Sequence, residues 1–390
     1  MCLTMTNMNM NPKNIFLLSL NVFFFFFFCL GSCEGKRKRY DDGGDEGTII
    51  KGMFVFGSSL VDNGNNNFLE KSSAKADYLP YGIDLAAGPS GRFTNGKNVI
   101  DLLGTYLGLP SSIPPFFDPS TKGTNIVRGV NYASGGSGIL DDTGSIAGNV
   151  TSLNKQIKNF EEVTLPELRR LMRRRHGRKK ISSLLDNYLF VVGSGGNDYS
   201  FNYFLTNSDP QLITLQTFTA NLTATLSTQL KKLYSLGARK MVVISVNPLG
   251  CSPMVTANNE GECIEILNQA AQLFNLNLKT LVDDIKPQIP LSNIVFLNSY
   301  NIINDIISQP ASQGFIEAAM PCCEVPSRNE GGNGILCKKE GKTCPNRTNH
   351  VFFDGLHPTE AVNVIIASKA YASQLQTEVY PTNVLQLANL

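Results

Sequence analysis

Asp354 and His357 stand three positions apart in Asp354-Gly355-Leu356-His357-Pro358-Thr359. At that spacing a carboxylate can accept the ring Nδ1–H within one turn of chain, leaving the other ring nitrogen free to act as a base. The chain has three histidines, His176, His350 and His357. His176 is embedded in a basic run and His350 has no carboxylate nearby in sequence, so His357 is the candidate base. Taken alone, the same histidine would also serve as a cap for the helix expected after Pro358. A base needs a nucleophile, and Val55-Phe56-Gly57-Ser58-Ser59-Leu60-Val61 supplies one. Ser59 follows a buried-strand pattern and precedes a turn rich in Gly and Asn, where a hydroxyl and a backbone N–H can both point into a cleft. By itself such a serine is an ordinary turn residue. The segment is not a GxSxG elbow, because Val61 occupies the last glycine position, which disfavours an α/β-hydrolase.

Two glycine-rich stretches offer donors for developing negative charge. Gly129 to Gly138 is made of small residues that let main chain approach a ligand. Gly193-Ser194-Gly195-Gly196-Asn197-Asp198 resembles a nucleotide turn superficially, but the GxGxxG pattern fails at Asp198. Asn197 can instead donate through its side-chain amide.

These stretches need elements to hold them. Met53 to Phe56, Tyr188 to Val192, Lys240 to Val246 and Asn293 to Leu297 are continuous apolar runs, the pattern of strands buried on both faces of a parallel sheet. Between or after them lie helical patterns over 212–236, ending at Gly237, over 262–285, and over 359–375. The alternation predicts an α/β fold, one domain of three α/β/α layers around a central parallel sheet. Ligands of such sheets bind beyond the carboxyl ends of the strands, where the Gly, Ser and Asn clusters fall.

Hydrophobic residues make up 42% of the 390 positions and charged residues 17%, a folded composition. Net charge is +2, and Arg169 to Lys180 holds eight cations and no carboxylate, so the remainder of the chain is acidic. That run is read as a solvated helix end; without interleaved aromatics it gives no case for nucleic acid. At the N-terminus an apolar run from Ile15 through six phenylalanines to small residues at Cys33 describes a secretory signal peptide over residues 1–33. It is shorter than the roughly 20 residues of a spanning helix, so no membrane span is expected after its removal. Residues 34–47 form a flexible charged tail and residues 48–390 the folded domain. Six cysteines remain beyond the signal: Cys251, Cys263, Cys322, Cys323, Cys337 and Cys344. The even count suits disulfides in an oxidising compartment; Cys251 with Cys263 would close a short loop, and the other pairings stay open. No CxxC pair or spaced histidine supports a metal site. Sequons at Asn149, Asn221 and Asn346 fit the same export route.

Gly57-Ser58-Ser59-Leu60, Gly129 to Gly138, Gly196-Asn197-Asp198 and Asp354-Gly355-Leu356-His357-Pro358 resemble, in order, the four blocks of plant GDSL esterase/lipases of the SGNH hydrolase superfamily. Asn63 to Asn67, Gly91 to Gly96, Leu107 to Pro110, Asn247 to Cys251 and Cys322-Cys323 extend the resemblance over about residues 50–375. It implies a flavodoxin-like fold and a secreted, cofactor-free enzyme that cleaves small-molecule or lipid esters, with Ser59 as nucleophile, His357 as base and Asp354 as its orienting acid. It also implies an oxyanion hole from the N–H groups of Ser59 and Gly136 and the amide of Asn197, with Gly135 the neighbouring alternative. The family's Gly-Asp-Ser-Leu reads Gly-Ser-Ser-Leu here, which removes a negative charge beside the nucleophile and predicts a competent but slower enzyme. A family member of weak activity that binds esters or cell-wall components, or an acyltransferase using the same serine, would share this constellation.

Overall fold

The computed structural model describes residues 50–176, 183–206 and 213–390. The segments expected to be a signal peptide and a charged tail, residues 1–47, and the end of the basic run (177–180) lie outside the described residues. In chain order the main elements are β1 (Gly52–Gly57), α1 (Val99–Tyr106), β2 (Gly129–Asn131), α2 (Leu153–Asn159), α3 (Leu165–His176), β3 (Tyr188–Gly193), α4 (Leu215–Leu236), β4 (Lys240–Ile244), α5 (Glu265–Ile285), β5 (Asn293–Leu297), α6 (Ser299–Ser308), α7 (Glu360–Ala372), β6 (Val379–Tyr380) and α8 (Val384–Asn389).

The strands form one sheet in the order β2-β1-β3-β4-β5-β6. All pairings are parallel except the last, where the two-residue β6 runs antiparallel beside Phe296 and Leu297. The expected parallel sheet thus carries an antiparallel edge. Gly129–Asn131, not among the strands expected from sequence, is a short strand whose pairing with β1 supplies what its own three residues cannot.

Successive strand residues point to opposite faces, and both faces are covered. Phe54, Phe56, Phe190, Met241, Val243 and Phe296 pack under α2 to α5. Met53, Val55, Leu189, Val191, Val242 and Val295 pack under α1, α6, α7 and α8. This is the three-layer α/β/α arrangement, and it explains why the strands are apolar without alternation. Local signals set the helix ends. Asn98 and Asp101 form a capping box at α1, Thr214 caps α4 and Gly237, at φ 120°, ends it. α7 is capped by the Thr359 side chain, not by His357.

The chain leaves β1 for β2 on one side and returns to β3 on the other, so strand order reverses between β1 and β3. That switch point is where an open α/β sheet presents a crevice. Three disulfides join Cys251 to Cys263, Cys322 to Cys344 and Cys323 to Cys337. The last two staple a segment poor in regular structure around a small cluster containing Tyr81, Phe93 and Phe353. Among the described residues no helix is long and apolar enough to cross a membrane. Asn149, Asn221 and Asn346 are all exposed.

Candidate functional site

β1 and β3 pair residue for residue up to Gly57 opposite Gly193, so the loops that follow them start level. Gly57 sits at φ 143°, and a Cβ there would lie 2.1 Å from the Gly193 carbonyl oxygen, so glycine alone fits this close approach. The buried Gln156 clamps the same peptide, accepting from Gly57 N–H at 2.8 Å and donating to its carbonyl at 2.9 Å. Past this fixed point Ser59 opens a single 3₁₀ turn, Ser59–Val61. Among the described residues no hydrogen bond engages the Ser59 N–H, as expected for the first residue of a helical turn.

The Ser59 hydroxyl meets His357 Nε2 at 2.7 Å. On the other side of the ring, Nδ1 lies 2.8 Å from Asp354 Oδ2 and 2.9 Å from Oδ1. Asp354 also accepts the backbone N–H groups of Leu356 and His357 through Oδ1, at 2.8 and 2.7 Å, which fixes the turn that carries the histidine. Burial tightens the chain of contacts: Ser59 is 8% exposed, His357 3% and Asp354 0%. The Phe93 ring packs against the imidazole with centroids 5.0 Å apart. A hydroxyl, an imidazole and a buried carboxylate in this order form the hydrogen-bonded line that can move a proton off a serine.

Asn197, four positions past β3, lines the same cavity as Ser59 and His357. One N–H of its amide donates to the Ser137 carbonyl at 2.8 Å, which orients the group and leaves its second donor hydrogen. Gly136, adjacent to Ser137, is buried, is not on the cavity wall, and has no partner for its N–H among the described residues. The neighbouring Gly135 N–H is committed to Asp62 Oδ2 at 3.0 Å. Of the two glycines, only Gly136 therefore retains a free donor.

Two buried carboxylates brace these loops. Asp62 gathers the N–H groups of Gly64 and Asn65 together with that of Gly135. Burial pushes its pKa up to about 6, against the pull of those N–H bonds and of Arg92. Asp198 receives Ile139 N–H at 2.9 Å, Leu140 N–H at 3.0 Å and the Thr143 hydroxyl at 2.8 Å. Burial raises it likewise to about 6. A Cβ on Gly138 would lie 2.5 Å from both Asp198 oxygens, so the glycine run is what admits this carboxylate.

Sequence reasoning singled out neither brace as such, nor Tyr81, whose hydroxyl donates to Asp354 Oδ2 at 2.7 Å and accepts Cys337 N–H at 3.0 Å. Burial, and then the Asp354 charge, lift the Tyr81 pKa well above its ordinary value, so it remains a donor. Ser58, at the variant position, donates its N–H to Gly193 O at 3.0 Å and makes no side-chain cap on the turn. His350 lies elsewhere, with Nδ1 near Asn346 O and Asn349 Oδ1.

The family model described as GDSL-like Lipase/Acylhydrolase matches residues 53–370. GDSL esterase/lipase 7 of Arabidopsis thaliana is 38% identical over 352 residues, covering 89% of this chain and 94% of that protein. Another GDSL esterase/lipase from the same plant is 41% identical over 364 residues, with 90% of both chains covered. A third is 38% identical over 350 residues, covering 88% of this chain and 92% of the relative. With a family match spanning most of its length and relatives aligned nearly end to end, the chain belongs to the GDSL-like lipase/acylhydrolase family.

Proposed function

We propose that this protein is a secreted serine esterase that hydrolyses carboxylic esters through an acyl-enzyme on Ser59. His357 Nε2 takes the Ser59 proton as the oxygen attacks the ester carbonyl. Asp354 holds the imidazole in the required tautomer and stabilises its charged form. The oxyanion is met by the Ser59 N–H and the Asn197 amide; Gly136, the third donor that the family resemblance implies, lies off the wall of the cavity that holds them. His357 returns the proton to the departing alcohol, and a water activated by the same ring releases the acid. The chemistry draws on no cofactor.

One observation carries this reading: Ser59 Oγ, His357 and Asp354 stand in continuous hydrogen-bond contact at 2.7 and 2.8 Å, although 298 positions separate the serine from the histidine. Membership of an esterase/lipase family supports ester hydrolysis in general. Export is supported by the apolar N-terminal segment, the three disulfides and the three exposed sequons.

The test is labelling of the purified mature protein with a fluorophosphonate probe alongside a panel of esters, with Ser59→Ala as control. The expected result is labelling and turnover that the control loses. A folded wild-type protein that neither labels nor turns over any ester overturns the proposal. Transfer of the acyl group to an added alcohol in preference to water would replace hydrolysis by acyl transfer. Secretion is checked by the N-terminal residue of protein recovered from culture medium, expected near residue 34.

A further inference from the structure

We infer that Arg169 and Arg173 of α3, with Arg239 ahead of β4, form an anchoring site for a polyuronate, a polysaccharide bearing a carboxylate on each sugar. The basic run alone gives a solvated helix end; the third cation is brought to it by the fold. Arg169 and Arg173 stand four positions apart on α3, so they share one face with about 5–6 Å between their Cβ atoms. Both are exposed, and with Leu184, Leu185, Gly237 and Arg239 they line a cavity of about 340 Å³.

The neighbouring carboxylates are already engaged. Glu161 holds Lys232 at 2.6 Å and Glu162 lies 3.8 Å from Lys158. Glu167 accepts the Gly123 N–H at 2.8 Å and lies 3.7 Å from Arg170. Asp186 is not on the cavity wall, and its charge acts on Lys240. Among the described residues Arg169, Arg173 and Arg239 have no carboxylate partner. The Arg239 guanidinium lies over the Tyr234 ring, 4.5 Å from its centroid, while Nη1 donates to the Tyr234 carbonyl at 3.1 Å and the Ala238 carbonyl at 2.8 Å. These contacts fix the fork and leave Nε and Nη2 to donate elsewhere.

The surroundings select the anion. Phosphate is ordinarily gathered by backbone N–H groups at a helix N-terminus. The helix end at this cavity is the carboxyl end of α4, where the Gly237 and Ala238 N–H groups are bonded to the Tyr234 and Leu233 carbonyls. Recognition falls to guanidinium forks, which match planar carboxylates with two parallel N–H bonds. Arg170 and Arg174, both exposed, carry the cationic face of α3 beyond the cavity, so the surface outruns one carboxylate and suits an anion that repeats. No aromatic side chain lines the cavity to stack on a base, and none of its leucines is exposed to enter a lipid layer. The site also leaves catalysis clear. Leu184, Leu185 and Arg239 precede β3 and β4, whereas Ser59 and Asn197 follow the far ends of β1 and β3. Six strand residues separate the two ends by about 20 Å.

The experiment is calorimetric titration of the purified mature protein with polygalacturonate, with its fully methyl-esterified form, with vesicles containing phosphatidylglycerol and with duplex DNA. The expected result is binding of polygalacturonate at about 50 mM salt, weaker by at least about tenfold at about 300 mM, and no binding of the esterified polymer. Arg169→Gln/Arg173→Gln/Arg239→Gln should weaken binding at least about tenfold, with kcat/KM for p-nitrophenyl acetate unchanged. Arg239 also bonds two carbonyls, so Arg169→Gln/Arg173→Gln, confined to exposed positions, carries the test if the triple variant does not fold, with a loss of at least about threefold. No binding by the wild type, equal binding of the esterified polymer, or variants that bind as the wild type does each overturn the inference. Tighter binding per charge to vesicles or DNA overturns it in favour of that surface. None of these outcomes touches the esterase reading, which rests on Ser59.

Discussion

The Tyr81 hydroxyl donates to Asp354 Oδ2 at 2.7 Å, across 273 positions of sequence. Asp354 is fully buried, and its oxygens are shared among the His357 ring, two backbone N–H groups and this phenol. A hydrogen bond to a buried charge contributes about 1.5–3 kcal/mol. Tyr81→Phe should therefore lower kcat about tenfold or more with KM little changed, because the loss falls on stabilising the charged imidazole. Steady-state kinetics with a soluble ester, beside a thermal melt to exclude unfolding, checks this.

Asn197→Ala removes one proposed oxyanion donor while Ser59, His357 and Asp354 stay in contact. A loss of about 10²–10³ in kcat is expected, with fluorophosphonate labelling slowed and not abolished. Equal kcat in the variant would exclude Asn197 from the oxyanion hole.

Asp62 gives a pH signature whose direction is fixed by its environment. Its carboxyl titrates near 3.8 ordinarily and near 6 in the folded protein. Between those values the folded state holds a proton that the unfolded chain has released, so this contribution is fully present below 3.8 and is lost as pH rises through about 6. Asp62→Asn should remove it, a change of about 2 kcal/mol in the difference between stabilities at pH 4 and pH 7. Urea melts of both proteins at the two pH values measure it. An identical pH dependence in the variant would show that the folded carboxyl titrates at its ordinary value.

Ser58→Asp places a negative charge at the N-terminus of the Ser59–Val61 turn, next to the proposed nucleophile. A gain in kcat of about two- to fivefold is expected, the size of one charge interaction at a helix terminus. Unchanged kinetics would show that the position does not bear on turnover.

Ser194 lines the cavity with a buried hydroxyl that has no hydrogen-bond partner among the described residues. Ser194→Ala deletes an unsatisfied group, so stability should hold or rise by about 1 kcal/mol. Thermal melts report it. A marked rise in KM would instead place the hydroxyl against substrate.

The parts legible in the sequence are those written in contiguous residues. β1, β3, β4 and β5 are unbroken apolar runs, and the structure extends or trims them by a residue or two. The expected helices over 212–236, 262–285 and 359–375 begin at Leu215, Glu265 and Glu360. What was hidden depends on partners distant in sequence. β2 and β6 hold three and two residues and exist through their neighbours. Asp198 and Gln156 bond mainly to main-chain groups brought near by folding, Asp62 and Tyr81 each reach one such group, Gly135 N–H and Cys337 N–H, and no spacing announces such a partner. Ser59, His357 and Asp354 were singled out by block order and by the scarcity of histidine; the same side chains meet in space.

The level finish of β1 and β3, Gly57 against Gly193, has a mechanical consequence. The offset between serine and amide is counted in rungs of a peptide ladder, so side-chain repacking cannot retune it. One residue added inside either strand would advance its loop by about 3.3 Å and turn every following side chain to the opposite layer. Length changes in the outer loops carry no such penalty, which leaves the rim of this crevice free to diverge while the span across its floor stays fixed.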